Sequence, residues 1–209
     1  MDRSESSYRV AHAQKSLSLV MKHMWCHRFL EHTPPVCVID RIILDKAAER
    51  GAGRHPIPWT RVASIRAYRE HLEICRRAAK PHQLALWELF AFDDTSLPPH
   101  PSEDEVSRAK ETFLINNSLA AKKGVSRAQA LQGAFDDVRL STFRHNPTWR
   151  EHPVVDEPTR SRVHARHESL LRAIYDRYEE GSSLSEEDVI GDLENLVLTM
   201  NEEFANLFR

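Results

Sequence analysis

Apolar residues recur at three- and four-residue steps along most of the chain, the repeat of a helix with one buried stripe. Val10, Leu17, Val20, Met21, Met24 and Trp25 follow this repeat and predict a helix from about Tyr8 to Leu30. Pro34 and Pro35 break the chain behind it. Asp40 then stands where an N-cap belongs, ahead of the short run Arg41 to Arg50, with Gly51 placed to close it. Ser64 opens a further helix to Lys80, in which Ile65, Tyr68, Leu72 and Cys75 turn inward. Pro81 ends that helix, and Leu84 to Phe92 forms a short, very apolar element.

Pro98, Pro99 and Pro101 deny the next stretch a helix and predict a linker over 93–101. Beyond it, Ser102 with Glu105 forms a capping box, and the helix it opens is predicted to reach Lys123, with Gly124 at its C-terminal turn. Ser126 caps the next helix, to about His145. An irregular stretch around Pro147, Pro153 and Pro158 precedes a helix from Thr159 to Glu180, and Ser185 with Asp188 starts the last. The final two helices predict an antiparallel hairpin. No segment reads as a strand. The expected fold is all-α, with two helical subdomains, 1–92 and 102–209, joined by the Pro-rich linker.

Composition narrows the picture. The chain has 209 residues, 41% of them hydrophobic and 29% charged, which fits one ordinary soluble domain or two small ones. Six glycines are few for the turns of a sheet protein, and none forms a phosphate-cradling loop. No apolar stretch approaches the ~20 residues that span a bilayer, and the opening residues lack the apolar core of a signal peptide. A cytoplasmic protein without a membrane contact is expected. Cys26, Cys37 and Cys75 show no CxxC spacing and are expected as free thiols. His23 and His27 have the i, i+4 spacing that zinc sites use, but no second ligand pair follows, so neither metal nor cofactor is predicted. Trp25, Trp59 and Trp87 have apolar neighbours and are expected in the core.

Charge divides the chain. Residues 1–92 carry 15 Lys+Arg against 9 Asp+Glu, a net +6, and residues 93–209 carry 14 against 22, a net −8. A polyanion such as DNA would therefore meet the first segment. Arg66, Arg69, Arg76, Arg77 and Lys80 form its candidate nucleic-acid face, interleaved with Glu70 and Glu73. The acidic segment would meet a protein partner or a second copy, since Tyr175, Tyr178, Phe204 and Phe208 lie on more than one face of the predicted hairpin.

The densest chemistry lies between Ala13 and Leu44. Lys15 stands near the start of an apolar helix, where an amine loses some of the hydration that favours its charge and gains nucleophilic character. Asp40 stands at a helix N-terminus, which favours a carboxylate. Together these two residues could excise a base from DNA, Lys15 by attack on the anomeric carbon and Asp40 by stabilising charge and moving protons.

Lys15 on its apolar helix, followed by Pro35, Val36, Val38, Ile39 and Asp40, resembles the catalytic segment of the helix-hairpin-helix DNA glycosylases. The resemblance covers about residues 10–45. It implies a glycosylase or abasic-site lyase of DNA repair or modification, with Lys15 as Schiff-base nucleophile and Asp40 as the essential acid. In that family a Gly-rich hairpin precedes the lysine. Here Arg9 to Gln14 stand in its place, and no glycine precedes Gly51, so the chain would be a partial domain or draw the hairpin from a partner. The alternative is a non-enzymatic helical interaction protein, with Lys15 snorkelling and Asp40 serving as a cap. A second string, Ala120 to Leu131, resembles the turn of helix-turn-helix DNA readers, with Arg127 and Gln129 facing the groove.

Overall fold

The computed structural model describes residues 8–117, 125–143, 156–179 and 183–207. Eight α-helices and one 3-10 turn make up its regular structure, and no strand occurs among the described residues. The protein is all-α.

Local signals set most boundaries. Helix α1 spans Val10–Cys26. Asp40 caps α2, Arg41–Glu49, by accepting a hydrogen bond from the Ile43 amide at 3.1 Å, and Gly51 follows it at φ +76°, a left-handed geometry that glycine adopts without strain. Ser64 caps α3, Ile65–Ala79, and α4 covers Leu84–Phe92. Ser102 and Glu105 close a full capping box on α5, Glu103–Asn116, and Ser126 opens α6, Arg127–Phe143. The predicted extension of α5 to Lys123 and the turn at Gly124 lie outside the described residues. Helix α7, Glu157–Arg177, starts two residues before the expected Thr159. Asp156 is its cap, bonded to the Thr159 amide at 2.9 Å, and Pro158 falls in the first turn, where no amide hydrogen is needed. Ser185 opens α8, Glu186–Leu207.

Helix α1 is the axis of the molecule. It packs against α3, α5, α6, α7, α8 and the 3-10 turn Trp59–Arg61, and of its residues only Lys15 is not buried. The hydrophobic core is therefore continuous from the basic segment into the acidic one, running from Leu17, Met21 and Met24 through Phe113 and Phe135 to Leu171 and Leu193. The Pro-rich stretch separates α4 from α5 along the chain, but the two sides share that core. Tyr175 and Tyr178 are buried in it, and the side chains of Phe204 and Phe208 lie outside the described residues. Ion pairs Arg177–Asp192 at 2.6 Å and Arg166–Glu203 at 3.3 Å join α7 to α8.

Burial takes water away from the polar groups of α1, and some of them find partners within the protein. Ser16 donates to the His12 carbonyl at 3.1 Å. Lys22 pairs with Glu88 of α4, its ammonium 4.8 Å from the Phe113 ring and 5.5 Å from that of Phe92. Among the described residues no helix is long and apolar enough to cross a membrane.

Candidate functional site

Gln14 sets the site. Its side-chain amide donates to the Ile39 carbonyl at 2.8 Å and accepts from the Ile39 amide at 3.1 Å, so it pairs with that residue as a neighbouring strand would. A third bond, to the Ala11 carbonyl at 3.0 Å, fixes its rotamer. The extended segment Val36–Ile39 is thereby held against α1, and Asp40, one residue on, is placed beside Lys15. Lys15 Nζ lies 3.5 Å from Asp40 Oδ2, with 19% and 12% of the two side chains exposed. The other Asp40 oxygen caps α2. The pair is thus reachable from solvent on a wall that is otherwise buried.

Trp59 completes the rim. Residues 52–62 form a strap between α2 and α3, and its 3-10 turn brings the Trp59 ring to 5.3 Å from Lys15 Nζ. The strap is tied to α1 by the Ala11 amide, which donates to the Val62 carbonyl at 3.0 Å. Trp25 and Trp87 lie in the core as their neighbours suggest, whereas Trp59 is partly exposed at the site. Nothing local marks it out, because its position depends on the bonds that tie the strap to α1 and α3.

Arg9 to Gln14, the stretch that replaces the family's Gly-rich hairpin, forms the cap and first turn of α1. Its Ala11 amide is spent on Val62, so the first turn does not present a row of free amides to a phosphate.

The five predicted cations divide. Arg66, Arg69 and Arg77 line an open groove on α3 together with Arg54 of the strap and the carboxylates Glu70 and Glu73. Arg66 pairs with Glu70 at 3.2 Å, and Arg77 donates to the Ala52 carbonyl at 2.9 Å. Lys80 is exposed at the end of the helix. Arg76 turns away from the groove and pairs with Glu186 of α8, which binds the basic segment to the acidic one. Of the helix-turn-helix string, residues 120–124 lie outside the described residues. Its two expected groove readers are engaged within the protein. Arg127 sits 4.8 Å from the Phe29 ring and donates to Glu179 at 2.5 Å, and Gln129 accepts from the Ser126 amide at 2.9 Å.

His23, buried, and His27, partly exposed, stack with ring centroids 6.3 Å apart, and Asp137 lies 3.4 Å from His23. No group of three ligands able to hold a metal occurs among the described residues. Burial drives the His23 imidazole down to about 3 and the Asp137 carboxyl up to about 6, so both shifts favour the uncharged forms. Cys26, Cys37 and Cys75 are free and buried.

No family model matches this chain, and no curated protein or solved structure matches it either.

Proposed function

We propose that the chain acts as a DNA glycosylase or abasic-site lyase whose reacting groups are Lys15 and Asp40. The observation that carries this reading is the 3.5 Å approach of an amine to a carboxylate across 25 residues of sequence, both side chains slightly exposed and the amine beside an indole ring. A nucleophile needs a base within hydrogen-bond reach, and this pair meets that requirement or comes to it on a small rotation.

Asp40 takes a proton from the Lys15 ammonium and passes it to the departing base. The freed amine attacks the anomeric carbon C1′, and the C1′–N bond breaks with its electron pair leaving on the base. The attached nitrogen sheds a second proton to Asp40, which delivers it to O4′ as the C1′–O4′ bond opens. A protonated Schiff base between Lys15 and the sugar remains. Arg66 and Arg69, in the neighbouring groove, supply backbone phosphate contacts. Cytosolic DNA repair or modification is the setting this chemistry fits.

Borohydride trapping on abasic-site duplex is the test, because reduction of the C=N bond makes the link permanent. The wild-type chain forms a covalent complex, Lys15→Ala forms none, and Asp40→Asn, which keeps the cap but loses the charge, traps far less. Failure of the wild-type chain to trap would sink the reading. The second reading, a non-enzymatic helical interaction protein, is favoured by one observation: Asp40 Oδ1 already serves α2 as an N-cap, a role that needs no substrate. Its signature is stable binding of a protein partner or self-association through residues 102–209 with no trapping.

A further inference from the structure

Helix α8 leaves one face uncovered. Leu198, 62% exposed, is the most exposed large apolar side chain among the described residues, and it stands between Glu194 and Glu202, one helical turn from each. Glu187 lies two turns before Glu194 on the same face. The other carboxylates of α8 are paired inside the chain: Glu186 with Arg76, Asp188 and Asp192 with Arg177, and Glu203 with Arg166. Glu187, Glu194 and Glu202 are exposed and have no ion pair among the described residues, and α8 contains no lysine or arginine to meet them.

Helix α3 offers the complement. Its groove carries carboxylates of its own, but Glu70 is taken by Arg66 and His55, and Glu73 lies 3.7 Å from Arg76. Arg54 of the strap is paired with Asp45 at 2.7 Å. Arg69, Arg77 and Lys80 remain exposed, and none of them meets a carboxylate among the described residues. Three uncompensated cations thus stand against three uncompensated carboxylates. The spacing agrees as well. Arg69 and Arg77 are eight residues apart, as are Glu194 and Glu202, and either interval spans about 12 Å of helix. Leu198 lies midway along one interval, and Ile74, which lines the groove, lies near the middle of the other. Within one chain the two surfaces do not meet, since Arg69 and Leu198 are both exposed and the Arg76–Glu186 bond joins the helices on the side away from the groove.

We infer that the outward face of α8 docks in the α3 groove of a second copy of this chain, with Leu198 over Ile74 and the glutamates against Arg69, Arg77 and Lys80. Each copy carries both surfaces, so a two-fold pair makes the contact twice. The contact involves neither Lys15 nor Asp40 and does not rest on the chemistry proposed for them.

Sedimentation velocity of the full chain is the test, at about 50 μM, a concentration that populates a pair of micromolar affinity. A dimer is expected at about 0.1 M salt, and its dissociation constant should rise at least about tenfold at about 1 M, where exposed ion pairs are screened. Leu198→Asp should weaken it comparably. Two double variants, Glu194→Arg with Glu202→Arg and Arg69→Glu with Arg77→Glu, should each be monomeric. Mixed in equal amounts they should restore the dimer, because every reversed charge then faces its opposite. Glu31→Arg, an exposed reversal outside both surfaces, should change nothing. A wild-type chain that stays monomeric, a dimer indifferent to Leu198→Asp, or folded double variants that fail to pair on mixing would overturn the inference. The wild-type chain and Leu198→Asp decide it even where a double variant does not fold. Borohydride trapping by a strict monomer would remove this inference alone, and a dimer that does not trap would remove only the Lys15–Asp40 chemistry.

Discussion

Lys22 and Glu88 form an ion pair that water barely reaches, with 3% and 0% of their side chains exposed. Burial pushes the Glu88 carboxyl up and the Lys22 ammonium draws it back down, and Asp40, close enough to be felt, pushes up again. The two lysines of α1, seven residues apart, thus each meet a carboxylate, one pair at the rim and one sealed behind it.

Removing one partner strands the other in the core. Lys22→Met is expected to destabilise the fold by about 3–5 kcal/mol, whereas Lys22→Met with Glu88→Leu should recover most of the loss, because two apolar groups replace two charges. Urea unfolding of the two single variants and the double variant measures this, and an additive double variant would contradict it.

Gln14 carries a different load. Gln14→Leu leaves the amide and carbonyl of Ile39 buried without a partner, at about 2–4 kcal/mol together. It also frees Asp40, so trapping should fall even at temperatures where the variant remains folded. Full trapping in a destabilised variant would show that Gln14 has no part in the site.

Acid should unfold the protein earlier than its carboxylates alone would. Burial lowers His12 to about 4, with Arg9 and Lys15 adding to it, and lowers His23 and His167 to about 3. A histidine lowered in the folded state binds its proton in the unfolded one first, so stability is intact above about pH 6.5 and is lost as pH falls toward 3–4. Each unit of separation corresponds to about 1.4 kcal/mol. Asp137, raised to about 6, acts in the opposite sense between 3.8 and 6 but offsets only one of the three. The urea midpoint should drop steeply between about pH 6.5 and 5. His167→Phe would blunt the drop, and an unchanged midpoint over that range would contradict the assignment.

If the α3 groove meets phosphates, Arg69 and Arg76 should behave differently although they are seven residues apart on one helix. Arg69→Gln should flatten the slope of log K against log salt for a short duplex by about 0.9. Arg76→Gln should leave the slope unchanged and lower stability, since its partner is Glu186. Fluorescence anisotropy at several salt concentrations distinguishes the two, and equal slopes for both variants would refute the assignment of the groove.

Whatever depends on neighbours in sequence was legible there. Asp40, Ser64, Ser102 and Ser126 announce their helices because a cap bonds an amide three residues on. The approach of Lys15 to Asp40 rests instead on the bonds of Gln14 to Ile39, 25 residues away. The depth of α1 was not legible. Its apolar stripe predicts one buried face, but Ser16, Ser18, Lys22 and His23 beyond that stripe are buried as well, and so is Gln14 within it. Their partners lie on segments up to more than a hundred residues away, and no periodicity encodes them. Trp59 escaped for the same reason, since a strap tied to α3 at Ala52 and to α1 at Val62 brings it to the site.

The central place of α1 also bears on how fast the structure forms. The amide of Tyr8 donates to Asn201, 193 residues away, and α1 lies against α6, α7 and α8. An all-helical chain ordinarily closes short loops and folds quickly, because most of its contacts are local. Here the helix that bears the lysine is enclosed in large part by elements drawn from far along the chain, and each long loop must be closed before its contacts repay the lost entropy. Contacts of this span raise the contact order, so folding slower than that of a bundle closed by short loops is the expected consequence of building the candidate site on a helix that distant segments must find.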